Sequence, residues 1–427
     1  QRHCHNEGVR LLPSTCDCEL IQQTLNNIMY NHQKKVKMEV KIINNRPVKI
    51  WTDYVEENAM QQIENLTTLP FLFHHLAIMP DVHAGMGMPI GGVLACKDAV
   101  IPNAVGVDIG CGMCAVKTNW KVSEIPQQVL RKEIMRGIRQ RIPLGMEHHK
   151  EAQDEKYLPT GFDIEELEVV NRRKNSIPHE VGTLGGGNHF IELQKDEEDN
   201  LWIMIHSGSR NLGKQVGDYY NEVAAYQNRI WHSSVSPDIR LPFLARGTRE
   251  FGMYWNEMKY CVEFALCNRK LMMERIEEVI ADSLKGIEFE PMINIAHNYA
   301  AMEHHFGEDV IVHRKGATLA REGVTGIIPG SQGTASYIVE GLGNPDSFCS
   351  CSHGAGRTLS RKAAIRTLDM AQEIASLEAK GIVHAIRCQD DMQEASGAYK
   401  DIEEVIANES DLIRVKTRLL PIAVIKG

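Results

Sequence analysis

Residues 70–116 constrain the fold more than any other part of the chain. They read LPFLFHHLAIMP, DVHAGMGMPIGGVLAC and AVIPNAVGVDIG, short apolar runs punctuated by glycine. Runs of this kind predict buried strands joined by tight turns. The stretch ends in DIGCGMC (108–114), where Asp108 and Cys111 close an otherwise buried approach. A disulfide, a zinc knuckle, a nucleophile and a metal site are all open for that pair.

The remainder of the chain uses the same elements. MEVKIINNRPVKIW (38–51) alternates like a first strand, and LWIMI (201–205) runs straight into HSGSR. MINIA, DVIVH, GIIPG and SYIVEG follow as short strands, and PIAVIKG closes the chain. Helical periodicity covers 212–230 and, more strongly, 249–283; further helices are expected over 358–378 and within 19–31. Residues 117–180 are polar, with EHHKEAQDEKY as an exposed loop. No repeat or low-complexity linker divides the chain. The expectation is an α/β (mixed α+β) fold, a single large composite domain of packed β-sheets flanked by helices, over residues 38–427. Residues 1–37 lack strand alternation and are expected to be an appendage or upstream read-through, with Met38 as the start.

Composition narrows the class. At 427 residues, 43% hydrophobic and 24% charged, the chain has the balance of a globular protein. No apolar run reaches the ~18 residues of a membrane span and no basic-then-apolar leader is read, so the cytosol is the expected compartment. Eleven cysteines scattered over this length argue against a disulfide framework. The net charge of −9 means that a polyanionic partner needs a local basic groove.

Of the 18 histidines, the doublets at 74–75, 148–149 and 304–305 read as surface or satisfied core residues. Four others share a different context: His189 in GTLGGGNHF, His206 in IMIHSGSR, His297 in INIAHNYA and His353 in CSCSHGAGR. Each follows an apolar or glycine-rich segment, and strand ends are where α/β folds gather a site. Together with Asp108 and Cys111 they form an imidazole, thiolate and carboxylate set suited to zinc, manganese or cobalt, not calcium or magnesium. A thiolate-bridged metal pair would use Asp108, Cys111 and three of the histidines. The competing reading is a closed structural zinc site through Cys111 and Cys114. Structural sites favour cysteine-rich sets, and no second CxxC stands at finger spacing, so the pattern favours a catalytic metal.

SHGAGRTLSRKAA (352–364) predicts a glycine turn opening into a helix near Thr358, whose free N–H groups suit a phosphate. Arg357 and Arg361 add bidentate donors. The bland alternative is a glycine turn with a capping histidine. PGSQGTAS (329–336) is a second loop able to cradle phosphate. Neither GxxxxGK[ST] nor KxDG is present, so covalent activation of a nucleotide would fall to histidine.

MPDVHAGMGMPIGG, AVGVDIGCGM, GTLGGGNHFIE, HSGSR, HNYA, RKGA, IPGSQGTAS, SHGAGRTLSRKAA and the closing VIKG together resemble the RtcB family of RNA-splicing ligases, in family order over residues 45–427. The resemblance implies a GTP-dependent ligase using two Mn²⁺ ions. It would join RNA ends bearing a 2′,3′-cyclic phosphate or 3′-phosphate to 5′-hydroxyl ends through a histidine–GMP intermediate. It also implies residue roles. Asp108 and Cys111 would be metal ligands, with Cys111 bridging; His189 would complete one metal, and His206 with His297 the other. His353 would be the nucleophile. Asn188, Glu192, Ser331, Ser336, Tyr399 and Lys426 would bind the nucleotide, with Glu192 on the guanine edge and Tyr399 stacking. Arg210 and Arg361 would contact RNA phosphates. Asp81 and Lys315 match motif positions without an assigned role. The resemblance further implies an RNA partner; the need for an archease-type activator stays open, and a monomer without a membrane partner is the expectation. Gln332 departs from the methionine expected in the glycine–serine loop.

Two other classes stay on the table. DVH (81–83) and GNH (187–189) echo a dinuclear metallophosphoesterase, although GDxxDR and GHxH are absent. A non-catalytic RNA-binding or structural metal protein would have no use for His353 or Glu192.

Overall fold

The computed structural model describes residues 38–427, which form one compact unit. The helix expected within 19–31 and the appendage reading of 1–37 lie outside the described residues.

The first expected strand is a hairpin of β1 (Glu39–Ile43) and β2 (Arg46–Ile50). Asn44 and Asn45 sit between them at φ 49° and 61°, the left-handed pair that a two-residue hairpin turn needs. Next come β3 (Leu72–His83), β4 (Ile90–Cys96), β5 (Ala99–Val100) and β6 (Gly112–Lys121). AVIPNAVGVDIG is therefore not one strand. Pro102 has no N–H for a ladder but suits a first helical turn, so β5 gives way to the short helix Pro102–Val105. Then follow β7 (Phe190–Lys195), β8 (Asn200–Ser207), β9 (Leu244–Ala245), β10 (Ile293–Ala296), β11 (Asn298–His305) and β12 (Glu308–Lys315). The last are β13 (Ala317–Leu319), β14 (Thr325–Ile328), β15 (Ser336–Gly341), β16 (Ser350–Ser352) and β17 (Ile413–Lys426).

These build a six-stranded sheet, β1-β2-β3-β4-β12-β11, and a seven-stranded sheet, β10-β6-β8-β7-β17-β15-β14, with two short two-stranded ribbons. The fold class is the mixed α/β arrangement expected, with almost all strand pairs antiparallel; β2 with β3 is the parallel exception. The helices Leu212–Ile230 and Arg249–Ser283 match the sequence periodicity. The expected helix over 358–378 is two, Arg361–Thr367 and Met370–Ala379. Ser360 caps the first by accepting from Ala363 N–H, which moves its start from Thr358 to Arg361. Asp369 accepts from Ala371 and Gln372 N–H and starts a second helix where one continuous helix was expected.

Strand parity sets the site. In β6, Cys114 and Val116 face one core while Met113 and Ala115 face another. In β8, Leu201, Ile203 and Ile205 join the first core, which the helix residues Ile134, Ile138, Met272 and Ile276 cover. Trp202 and Met204 take the opposite face, and the two-residue repeat carries His206 there with them. The same count puts Phe190 and Glu192 of β7 and Lys426 of β17 on that face, opposite Ile191, Leu193, Ala423 and Ile425. Each fully buried isoleucine contributes about 1.5–3 kcal/mol, so the sheet is tightly held where it presents polar groups.

Candidate active site

Cys111 lies just ahead of β6, His189 just ahead of β7, His206 near the end of β8, and His297 between β10 and β11. These strands are neighbours, and the register pairs Met113 and Phe190 with His206, and Gly112 with Ala296. All four side chains therefore gather at one end of one sheet. His297 N–H donates to the Cys111 carbonyl (2.9 Å). The glycines around Cys111 are required by close approach. A Cβ on Gly112 would stand 2.0 Å from the Ile295 carbonyl oxygen, and one on Gly110 2.7 Å from that of Cys261, at φ +79°.

His189 Nδ1 contacts the Leu184 carbonyl (3.1 Å) and His206 Nδ1 the Asn188 carbonyl (3.0 Å). A carbonyl can only accept, so both Nδ1 atoms carry a proton, and neutral His206 presents its Nε2 lone pair. The Nε2 atoms of His189 and His206 face Cys111 Sγ at 3.5 and 3.2 Å, and the Asp108 carboxylate approaches His189 Nε2 at 3.1 Å. The donor atoms of Cys111, His189 and His206 lie within 4.8 Å of one another, all three residues buried. Burial and His189 hold His206 well below its usual pKa, while burial and Asp108 push the Cys111 thiol up. Sulfur, imidazole and carboxylate groups converging in a buried pocket are a donor set for a cation, and the residues fit a transition metal. His297 stands just outside that trio. Its ring lies 5.2 Å from His206 and 4.8 Å from His353, and its buried Nδ1 has no partner among the described residues. Cys114 points into the opposite core, which removes the closed Cys111–Cys114 zinc reading.

His353 follows β16. Its Nδ1 donates to Asp81 Oδ2 (2.6 Å), and its backbone N–H donates to the same oxygen (3.0 Å). The Nε2 lone pair is left for the cleft. Asp81 is fully buried; burial favours its neutral form, yet the contacts with His353 outweigh this and lower its pKa. The cleft holds about 420 Å³ and is walled by His206, His353, Asn188, Glu192, Ser331, Tyr399, Lys426 and Arg361. Burial raises Glu192 to about 7, against the pull of Lys426 and Gln194.

Three expected residues sit differently. Ser336 opens β15 and is 1% exposed; its hydroxyl accepts from Gly330 N–H (3.2 Å) and Gln194 Nε2 (3.1 Å). It supports the glycine–serine loop from behind and does not line the cleft. Arg210 is 9% exposed, donating to Thr183 Oγ1 (2.8 Å) and the Gly145 carbonyl (2.9 Å) beside Gly185 and His189, and is not among the residues that wall the cleft. Arg357 is committed to Glu394, Gln393 and Tyr399. Arg361 keeps half its side chain exposed beside Glu394.

Sequence reasoning missed Arg269, fully buried in the helix Arg249–Ser283. Its guanidinium donates to the carbonyls of Gly110 (3.1 Å), Ser207 (2.8 Å) and Ile295 (3.1 Å), one beside each of three ligand-bearing segments. The available signal was an arginine on the apolar face of that helix. Lys315 is buried too, held by the Met86 and Asn103 carbonyls at 2.6 and 3.0 Å without a carboxylate partner, and burial lowers it to about 7.

The family model described as tRNA-splicing ligase RtcB matches residues 62–427. The chain belongs to the RtcB family. Asp81 through Lys426, every residue of the site above, falls inside the matched span. The RNA-splicing ligase RtcB of Escherichia coli K12 is 39% identical over 409 residues, covering 90% of this chain and 98% of the relative. The tRNA-splicing ligase RtcB of Thermococcus kodakarensis is 32% identical over 444 residues, covering 87% and 92%. An Entamoeba histolytica RtcB homolog is 30% identical over 447 residues, covering 87% and 84%. RtcB-family membership accords with what the sheet end offers: a sulfur–imidazole donor cluster beside a histidine whose second nitrogen is anchored.

Proposed function

We propose that this RtcB-family chain is an RNA ligase of splicing or repair. It joins 2′,3′-cyclic phosphate or 3′-phosphate ends to 5′-hydroxyl ends, with GTP and two Mn²⁺ ions. The observation that carries this reading is the Asp81–His353 pair opening into a cleft that adjoins the Cys111–His189–His206 donors. The relatives named as RNA- and tRNA-splicing ligases support it.

With its proton directed to Asp81, His353 Nε2 attacks the α-phosphorus of GTP; the N–P bond forms as the bond to pyrophosphate breaks. Asp81 stabilises the imidazole through the step by holding its tautomer and orientation. An oxygen of the RNA 3′-phosphate then displaces His353 from GMP. The 5′-hydroxyl oxygen attacks the activated 3′-phosphorus, and GMP leaves. A cyclic phosphate is first opened by water. In this reading Asp108, Cys111, His189, His206 and His297 would hold the two ions. Manganese held there would supply positive charge against the phosphates and polarise the attacked centre. Asn188, Glu192, Ser331, Tyr399 and Lys426 hold the guanosine, and Arg361 receives RNA phosphate. Residues 38–427 are the catalytic domain, acting as a monomer in the cytoplasm with an archease-type activator.

The test is incubation with α-labelled GTP and Mn²⁺, wild type against His353→Ala. Acid-labile label on the wild type alone is expected. No label on manganese-loaded wild type would sink the ligase mechanism and revive the phosphoesterase reading.

A further inference from the structure

A second cavity of about 470 Å³ opens between the C-terminal end of the helix Leu212–Ile230 and the segment 232–242. Its wall carries Arg229, Arg240 and His232, and no Asp or Glu lines it. In a chain of net charge −9 this is an electropositive enclosure. Neither arginine forms an ion pair among the described residues, and Arg229 lies over the Tyr226 ring at 5.3 Å. Ala225, Val235 and Pro242 supply apolar surface. Asn221 adds an amide whose buried Oδ1 has no partner, while Asn228 is fixed by both polar groups of the Phe243 backbone. Tyr226 and Trp231 stand beside it, 56% and 42% exposed.

The cavity also shares a segment with the cleft. Ala84 lines the His353 cleft and Met86 lines the second cavity. Two residues of chain span at most about 7 Å. Apolar walls, amide groups and cationic rims at this volume match one nucleotide: a planar base, its polar edge and its phosphate.

We propose that this cavity is a nucleotide subsite for the RNA substrate. One unstacked base enters against Ala225, Val235 and Pro242, its phosphate rests on Arg229 and Arg240, and the flanking strand crosses Tyr226 and Trp231. The proposal rests on the RNA-ligase reading, and its test separates the two. Ala225→Trp fills the cavity from an exposed helix position, and Arg229→Glu reverses the rim charge. Both are compared with wild type for anisotropy of a short fluorescent single-stranded RNA and for labelling by GTP.

The expected result is RNA affinity about tenfold weaker in both variants, with a shallower salt dependence for Arg229→Glu and labelling by GTP within twofold of wild type. Unchanged RNA affinity in both variants overturns the subsite, whatever the labelling. Weakened RNA binding with no labelling of any protein keeps the subsite and removes the ligase mechanism. A third arm titrates adenosine monophosphate alone. Loss of its binding in Ala225→Trp without loss of RNA affinity would assign the cavity to free mononucleotides and overturn the RNA assignment.

Discussion

Asp81 and His353 stand 272 positions apart in sequence and share two hydrogen bonds in space. Asp81→Asn keeps the shape but offers Nδ1 a different partner, which frees the ring to take the other tautomer. Labelling by GTP is expected to fall by a factor of about 10²–10⁴, with the midpoint of GTP binding little changed; a rate within threefold of wild type would show that the pair is only structural. Glu192 gives a pH signature. Burial lifts it from 4.5 to about 7, so the folded carboxyl holds its proton more tightly than the unfolded one. The native state then carries the extra proton between those values, and stability falls as pH rises through that window. For metal-free, nucleotide-free protein the loss reaches about 3 kcal/mol. Denaturant midpoints from acid to neutral pH should flatten in Glu192→Gln; an unchanged slope would assign the dependence elsewhere.

The helix Met370–Ala379 acts on the site through its first and last turns. Glu373 accepts from Gln332 Nε2 (3.3 Å) and Ser396 N–H (2.8 Å), and Lys380, just past its end, donates to the Gly333 carbonyl (2.8 Å). Gln332, the departure from the expected methionine, is thus tied to a carboxylate. Glu373→Ala is expected to raise the GTP KM about tenfold with little change in kcat, because it loosens the loop without touching the reacting atoms; a kcat loss alone would contradict this. The limits of sequence reading show in the same region. Histidines at strand ends were legible because apolar runs and small residues announce where strands stop. The inward turn of Ser336 was not legible, because a serine in a glycine-rich loop looks like a lining group whereas its place at the start of β15 directs it to Gly330 and Gln194. The helix break at Asp369 was hidden because helical periodicity runs across a cap. Arg269 and Asp81 were silent as partners, since their contacts depend on pairings between distant segments that no spacing encodes.

At the scale of the molecule, the donor cluster joins the ends of β6, β7, β8 and the β10–β11 connection. A metal bound there holds four segments of one sheet, and its binding energy adds to folding. Mn²⁺ at 100 times its dissociation constant is expected to stabilise the protein by about 2.7 kcal/mol over the chelated form. The difference should vanish in Cys111→Ala, as read by thermal unfolding; equal shifts in both proteins would place the ion elsewhere.

β17 lies between β7 and β15 in the seven-stranded sheet. Without it the sheet is two pieces: β10-β6-β8-β7, which carries the donor cluster, and β15-β14, which flanks the glycine–serine loop. During synthesis, residues 413–426 leave the ribosome after every other strand of both pieces, so the two halves of the site are sutured last. A chain whose β17 has not yet docked therefore holds the two halves of the site unjoined, and pairing of this one strand with β7 and β15 brings the donor cluster and the loop together.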